Sequence, residues 1–135
     1  MRRSHTISVS IDRSYDDVYA YLSKPSNYGH WAAVDTGTFR PLANGDWQAN
    51  TPFGFRYFRF TPPNAFGVLD HAIFEPGQAV WYNPMRVVPN ELGSEVSFTF
   101  FRRDGMDDAQ FTSAVEWITT DFLALKSLLE AQRRP

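Results

Sequence analysis

Residues 107–133 read DDAQFTSAVEWITTDFLALKSLLEAQR, and this stretch decides the fold. Phe111, Val115, Ile118, Phe122, Leu125 and Leu129 recur at alternating spacings of four and three, which aligns them as one apolar stripe along a long helix. Asp107 and Asp108 at its start and Arg133 and Arg134 at its end complement the helix dipole. Ala114, Trp117 and Leu128 widen the stripe on one side, where Asp121 is the only charged interruption and is expected at the solvent edge. A stripe this long needs an extended apolar surface to cover it.

The upstream sequence supplies that surface. Between Asp35 and Arg103 the helical period disappears, and six strand candidates follow at 35–41, 46–50, 54–61, 66–75, 78–88 and 94–103. Ala43-Asn44-Gly45, Thr51-Pro52, Pro62-Pro63-Asn64, Glu75-Pro76-Gly77 and the segment from Pro89 to Gly93 punctuate them. Connections this short predict an antiparallel meander. Ahead of it, Thr6 to Ile11 alternates polar and β-branched residues and reads as a seventh strand. Ser14 then caps a helix over about 15–23, with Asp16 and Asp17 in its first turn. A second, short helix runs from Pro25 to about Trp31, weakened by Gly29 and carrying Tyr28.

The expectation is an α+β helix-grip arrangement forming a single domain over 1–135. A seven-stranded curved antiparallel sheet wraps around the C-terminal helix, with two short helices after the first strand. Twist lets so wide a sheet curl, and side chains need not fill the space between helix and far strands. A cavity there, closed at one end by the short helices, follows from the element order.

Composition narrows the function. The chain has 135 residues, 43% hydrophobic and 21% charged, an ordinary globular balance. Without cysteine it has no disulfide, thiolate nucleophile or cysteine-based metal site. A net charge of −2, with its basic residues scattered, gives no footprint for nucleic acid. No apolar run approaches the ~20 residues of a membrane helix. No apolar segment follows Arg2 and Arg3, so no signal peptide is expected and the predicted location is cytoplasmic. Aromatic residues reach 16% and concentrate between Phe39 and Phe101, so they build either a dense core or a greasy pocket.

Several stretches share a resemblance. Thr6 through Trp31, including Pro25-Ser26-Asn27-Tyr28-Gly29-His30-Trp31, is one. The others are Phe66-Gly67-Val68-Leu69-Asp70-His71, Asn83 through Asn90, Gly93 through Thr99 and Asp121 through Lys126. With the element order, they resemble the START-like, birch-pollen-allergen superfamily (SRPBCC), in particular small bacterial polyketide cyclase/dehydrase-like members. The resemblance implies the helix-grip fold and a small-molecule partner. The superfamily includes lipid carriers, hormone receptors and aromatic-polyketide cyclases, so it does not choose a chemistry.

Strand parity nominates residues. Leu69, His71 and Ile73 share a face, and the two aliphatics point His71 inward; Val68, Asp70, Ala72 and Phe74 take the other face. Trp81, Asn83, Met85 and Val87 are expected inward and Tyr82 and Arg86 outward, unless a bulge at Pro84 reverses the parity. The expected ligand lining is Trp31, Phe58, Trp81, Met85, Phe98 and Trp117. His71 reads as a cavity acid/base or as a satisfied core histidine. Arg56 and Arg86 are mid-strand cations. Inside a cavity either would clamp a carboxylate or enolate oxygen; on the convex face they would be solvated or paired with Glu75 or Glu95. Arg86 becomes an oxyanion partner only if the parity shifts at Pro84. His5 and His30 do not pair with His71 at metal-ligand spacing, so no metal is expected. No G-x-G-x-x-G, P-loop or G-x-S-x-G occurs, so neither a cofactor nor serine hydrolysis is expected.

Three functions stay open. The favoured one is binding of a small hydrophobic or aromatic ligand between sheet and C-terminal helix. The second is a cofactor-free cyclase/dehydratase-type enzyme using His71. The third is an interaction module, for which a homodimer is one form.

Overall fold

In the computed structural model, which describes residues 1–132, the decisive stretch is helix α2, Asp108–Ala131, roughly 36 Å long. Asp107 caps it: its carboxylate accepts the Gln110 N–H at 2.8 Å, and the Gln110 side chain accepts the Asp107 N–H at 2.8 Å. Phe111, Phe122, Leu125 and Leu129 are its buried residues. The predicted basic end at Arg133 and Arg134 lies outside the described residues.

Eight strands precede it: β1 (Ser4–Ile11), β2 (Arg40–Pro41), β3 (Trp47–Thr51), β4 (Gly54–Phe60), β5 (His71–Phe74), β6 (Tyr82–Asn83), β7 (Met85–Asn90) and β8 (Gly93–Phe101). Helix α1 (Tyr15–Leu22) and a 3₁₀ turn (Pro25–His30) follow β1. All pairings are antiparallel, in the orders β1-β8-β7 and β2-β3-β4-β5-β6. The two sheets are continuous. Val68 bridges Arg86 in the same register that pairs His71 with Asn83, and Leu69 N–H donates to Met85 O at 2.9 Å. β6 and β7 are therefore two halves of one strand path, and the curved sheet has the seven paths expected.

The break between the halves is Pro84, which lacks an N–H for the β8 ladder although its carbonyl accepts from Thr99 N at 2.9 Å. The parity is unchanged across it, with Asn83, Met85 and Val87 all buried. Two other predicted strands are shorter than expected because side chains capture their backbone. Over 35–38, Asp35 Oδ1 accepts Gly37 N–H and Thr38 donates twice to Asp35 O, leaving only Arg40–Pro41 to pair. Over 64–68, Asn64 Oδ1 accepts both Phe66 N–H and Val68 N–H. Gly67 has φ +67° and sits so close to Val87 O that a Cβ would stand 2.2 Å from it.

The core lies between the concave face of this sheet and α2. Helix α2 packs along β1, from the Arg3 guanidinium over the Phe111 ring (4.5 Å) to Arg13, which donates to Leu129 O at 2.6 Å. Val18 of α1, Val87 and Val96 are fully enclosed in the same cluster.

Candidate functional site

The expected cavity is filled by the 3₁₀ turn. Pro25–His30 drives Tyr28 between sheet and helix, where its ring meets Trp31 (5.2 Å between centroids), Phe39 (6.0 Å), Phe58 (5.6 Å), Phe60 (5.4 Å) and His71 (5.4 Å). Trp31 continues the plug to Phe122 at 6.0 Å. Tilted and edge-on contacts of this kind are the favourable ones for aromatic rings. Much of the aromatic excess in the sequence is thus spent on a dense core around a tyrosine.

This settles where the expected lining residues stand. Trp31, Phe58, Met85 and Phe98 are buried in packing. Trp81 lies outside the core, with the Arg2 guanidinium 4.1 Å and the Arg103 guanidinium 5.6 Å from its ring. Trp117 is 41% exposed on the flank of α2.

His71 points inward, 3% exposed, under Tyr28, Phe60 and Phe98. Its Nδ1 lies 3.2 Å from Leu69 O. A carbonyl only accepts, so Nδ1 carries the proton. Burial lowers its pKa to about 4; the Leu69 bond and Asp70 oppose the shift and Arg103 adds to it. The ring is neutral at pH 7. Arg86 stays on the other face because the parity does not shift, donating there to Asp70 and Met85 O. The pairing of His71 with an Arg86 oxyanion clamp is therefore not formed. Arg56 is largely covered, its side chain 20% exposed, 3.2 Å from Glu75 and donating to Phe55 O at 2.9 Å.

What stays open is an edge. Helix α2 follows β1 and leaves a groove of about 490 Å³ on its opposite flank, lined by Ala33, Val34, Asp35, Asn50, Thr51, Pro52 and Trp117. One wall is the loop after the 3₁₀ turn, held by Asp35 N–H donating to Asn50 O (2.8 Å) and Asn50 N–H to Thr38 Oγ1 (2.9 Å). The second is the β3–β4 hairpin, where Thr51 Oγ1 donates to Gly54 O (2.8 Å) and accepts Phe53 N–H (3.1 Å). Phe53, 54% exposed at the hairpin tip, meets Trp117 edge-on at 6.2 Å. Both walls are hydrogen-bonded in place, so the groove is preformed.

Asp121, expected at the solvent edge of the helix, is half-buried there. One turn beyond Trp117, its Oδ2 accepts the N–H of Ala33, a groove residue, at 3.2 Å. Burial raises its pKa to about 6, and the Ala33 bond opposes the shift. Its partner is 88 residues away in sequence, and only its position beside Trp117 on the stripe hinted at burial. Among the described residues, no group of three or more potential metal ligands occurs and no helix is long and apolar enough to cross a membrane.

Comparison with known proteins agrees on the architecture. No family model and no curated protein sequence matches the chain. Solved structures do: XoxI from Bacillus cereus has a TM-score of 0.77 at 14% identity, covering 97% of this chain and 99% of that one. A START superfamily protein from Mycobacterium smegmatis has a TM-score of 0.73 at 10% identity (98% and 100% covered). Truncated norcoclaurine synthase from Thalictrum flavum has one of 0.64 at 14% identity (100% and 96% covered). The chain has the α+β fold of the START-like, SRPBCC superfamily.

Proposed function

We propose that the protein binds a small apolar or aromatic molecule in the groove between α2 and the β3–β4 hairpin. The observation that carries this reading is a half-exposed Trp117, backed edge-on by an exposed Phe53, lining a groove of about 490 Å³. Ligand-sized sites fall in this range of volume and are built from aromatic walls with a few fixed polar groups. The START-like fold, which includes small-ligand binders, supports ligand binding as a class. His71 does not line the groove and three rings cover it, so no acid/base step is assigned to it.

The test is a titration with 1-naphthalenemethanol, a neutral flat probe, followed by calorimetry and tryptophan fluorescence. Saturable binding is expected, weakened about tenfold or more by Trp117→Ala, as for an aromatic anchor. Unaltered affinity in Trp117→Ala moves the site elsewhere. Absence of saturation with this probe and with a broader hydrophobic set favours the interaction-module reading.

A further inference from the structure

The curved sheet ends in two edges that the chain treats differently. At one, β2 is two residues long and finishes on Pro41. Beside it the outer side of β3 is covered, where Asp35 N–H donates to Asn50 O and Asn50 N–H to Thr38 Oγ1. At the other edge β1 runs for eight residues with no proline and no acidic, lysine or arginine side chain. Native sheets blunt their edges with such residues or with a covering segment.

The ladder fixes which way the β1 backbone faces. Arg102 N–H donates to Arg3 O, so in this register the odd-numbered residues bond β8 and the even-numbered ones turn outward. Lys126 Nζ occupies Ser10 O at 2.7 Å. Among the described residues nothing bonds the outward N–H and C=O of Ser4, Thr6 or Ser8, and all three residues are exposed. Half-buried Val9 and Leu123, 56% exposed and three residues before Lys126 on α2, add apolar surface beside this row.

A strand with free donors and acceptors along one side is complementary to itself when a second copy runs antiparallel. With Ser10 taken by Lys126, one register uses all three outward residues. It pairs Thr6 with Thr6 of the partner subunit and Ser4 with Ser8 of the partner subunit, each pair exchanging two N–H···O bonds. Charge favours the same arrangement. Among the described residues, Asp12, Asp17, Glu95 and Glu130 outnumber Arg13 and Lys126 at the Ile11 end. At the Ser4 end Arg2, Arg3, Arg102 and Arg103 outnumber Asp104, Asp107 and Asp108. An antiparallel copy sets these unlike ends together.

We infer that two copies of the chain associate through the outer edge of β1, antiparallel about a two-fold axis at Thr6, and join their sheets into one. The groove beside Trp117 lies on the other flank of α2, so this dimer does not depend on the ligand-binding reading.

Sedimentation equilibrium over a micromolar concentration series should show a monomer–dimer equilibrium. As the dimer fills, amide exchange at Thr6 and Ser8 should slow, while Ile7, already bonded to β8, should not change. Thr6→Lys and Thr6→Glu each set like charges opposite one another and should weaken association about tenfold or more. Circular dichroism should be unaltered in both, because Thr6 is exposed and its backbone bonds point away from β8. An equimolar mixture of the two variants should recover the dimer, as a heterodimer with unlike charges paired. A monomer at every concentration overturns the inference. So does a dimer that either variant leaves intact, or one whose Thr6 and Ser8 amides exchange as fast as in the monomer. A mixture that stays monomeric overturns the two-fold at Thr6. A chain that stays monomeric yet protects the same amides on adding a synthetic copy of the Ser4–Ile11 segment has an edge that takes foreign strands, and this too overturns self-association. The exchange measurement on the unmodified protein decides the case even where a variant misfolds.

Discussion

The two long flanks of α2 are treated differently by the rest of the molecule. Along β1 the helix is sealed. Phe111, Phe122, Leu125 and Leu129 are buried, Lys126 Nζ donates to Ser10 O at 2.7 Å, and Arg13 donates to Leu129 O. Towards the β3–β4 hairpin, among the described residues, the links are Ala33 N–H to Asp121 and the ring contact of Phe53 on Trp117. The contrast follows from the width of the sheet. A single helix covers the strands it lies along, the Tyr28–Trp31 plug fills the middle, and the far hairpin is left facing a gap.

The largest expected effect tests that asymmetry directly. Phe122→Ala removes a ring packed against Trp31 and Phe98 on the sealed side and should cost about 3–5 kcal/mol in denaturant unfolding. Trp117→Ala, an aromatic deletion five residues earlier, should cost no more than about 1 kcal/mol because Trp117 is 41% exposed and contacts a ring that is itself exposed. Equal costs for the two would mean that the open flank is packed.

The next effect is on pH dependence, through buried His71 and half-buried Asp121. His71 has its pKa lowered to about 4 against an unfolded value near 6.5. Between those values the unfolded chain binds the proton and the native one does not, so this group makes stability fall as pH drops from about 6.5 to 4. Asp121 has its pKa raised to about 6 against roughly 3.9 unfolded. There the native state binds the extra proton, so stability falls as pH rises through the overlapping window. The two slopes oppose each other. Relative to the unmodified protein, Asp121→Asn should gain stability from pH 4 to 6 and hold the gain at pH 8, read as a rise in Tm of a few degrees. His71→Phe should gain on the acid side as pH falls from about 6.5. Urea midpoints at half-unit pH steps separate the two.

At the base of the hairpin, Asp46 accepts two 2.8 Å bonds from Arg59. The Arg59 hydrogen bonds hold its carboxyl below the usual range. Asp46→Ala should cost about 1–2 kcal/mol at pH 7, and the difference from the unmodified protein should vanish as the pH falls towards 2. The smallest effect belongs to Lys126→Met on the sealed side. It removes an i,i+4 pair with Glu130 and one backbone contact at a half-exposed site, and should move stability by less than about 1 kcal/mol.

The sequence by itself determined what depends on neighbours a few positions away. The stripe from Phe111 to Leu129 marked α2, alternation marked β1 and β8, and Gly, Pro and Asn marked the turns. Parity sent His71 and Met85 inward and Arg86 outward. Local competition was harder to see: Asp35 and Asn64 bond the backbone beside them and shorten two strands, a signal present in the residue types but outweighed by the aromatic and branched residues around them. Only the tertiary structure decided what each face meets. Tyr28 fills the space that element order left for a ligand, Trp81 packs against two arginines instead of the core, and Asp121 is half-buried because the loop at Ala33 crosses it. Periodicity says which side chains point the same way. Burial, pKa and accessibility depend on what another part of the chain places in front of them.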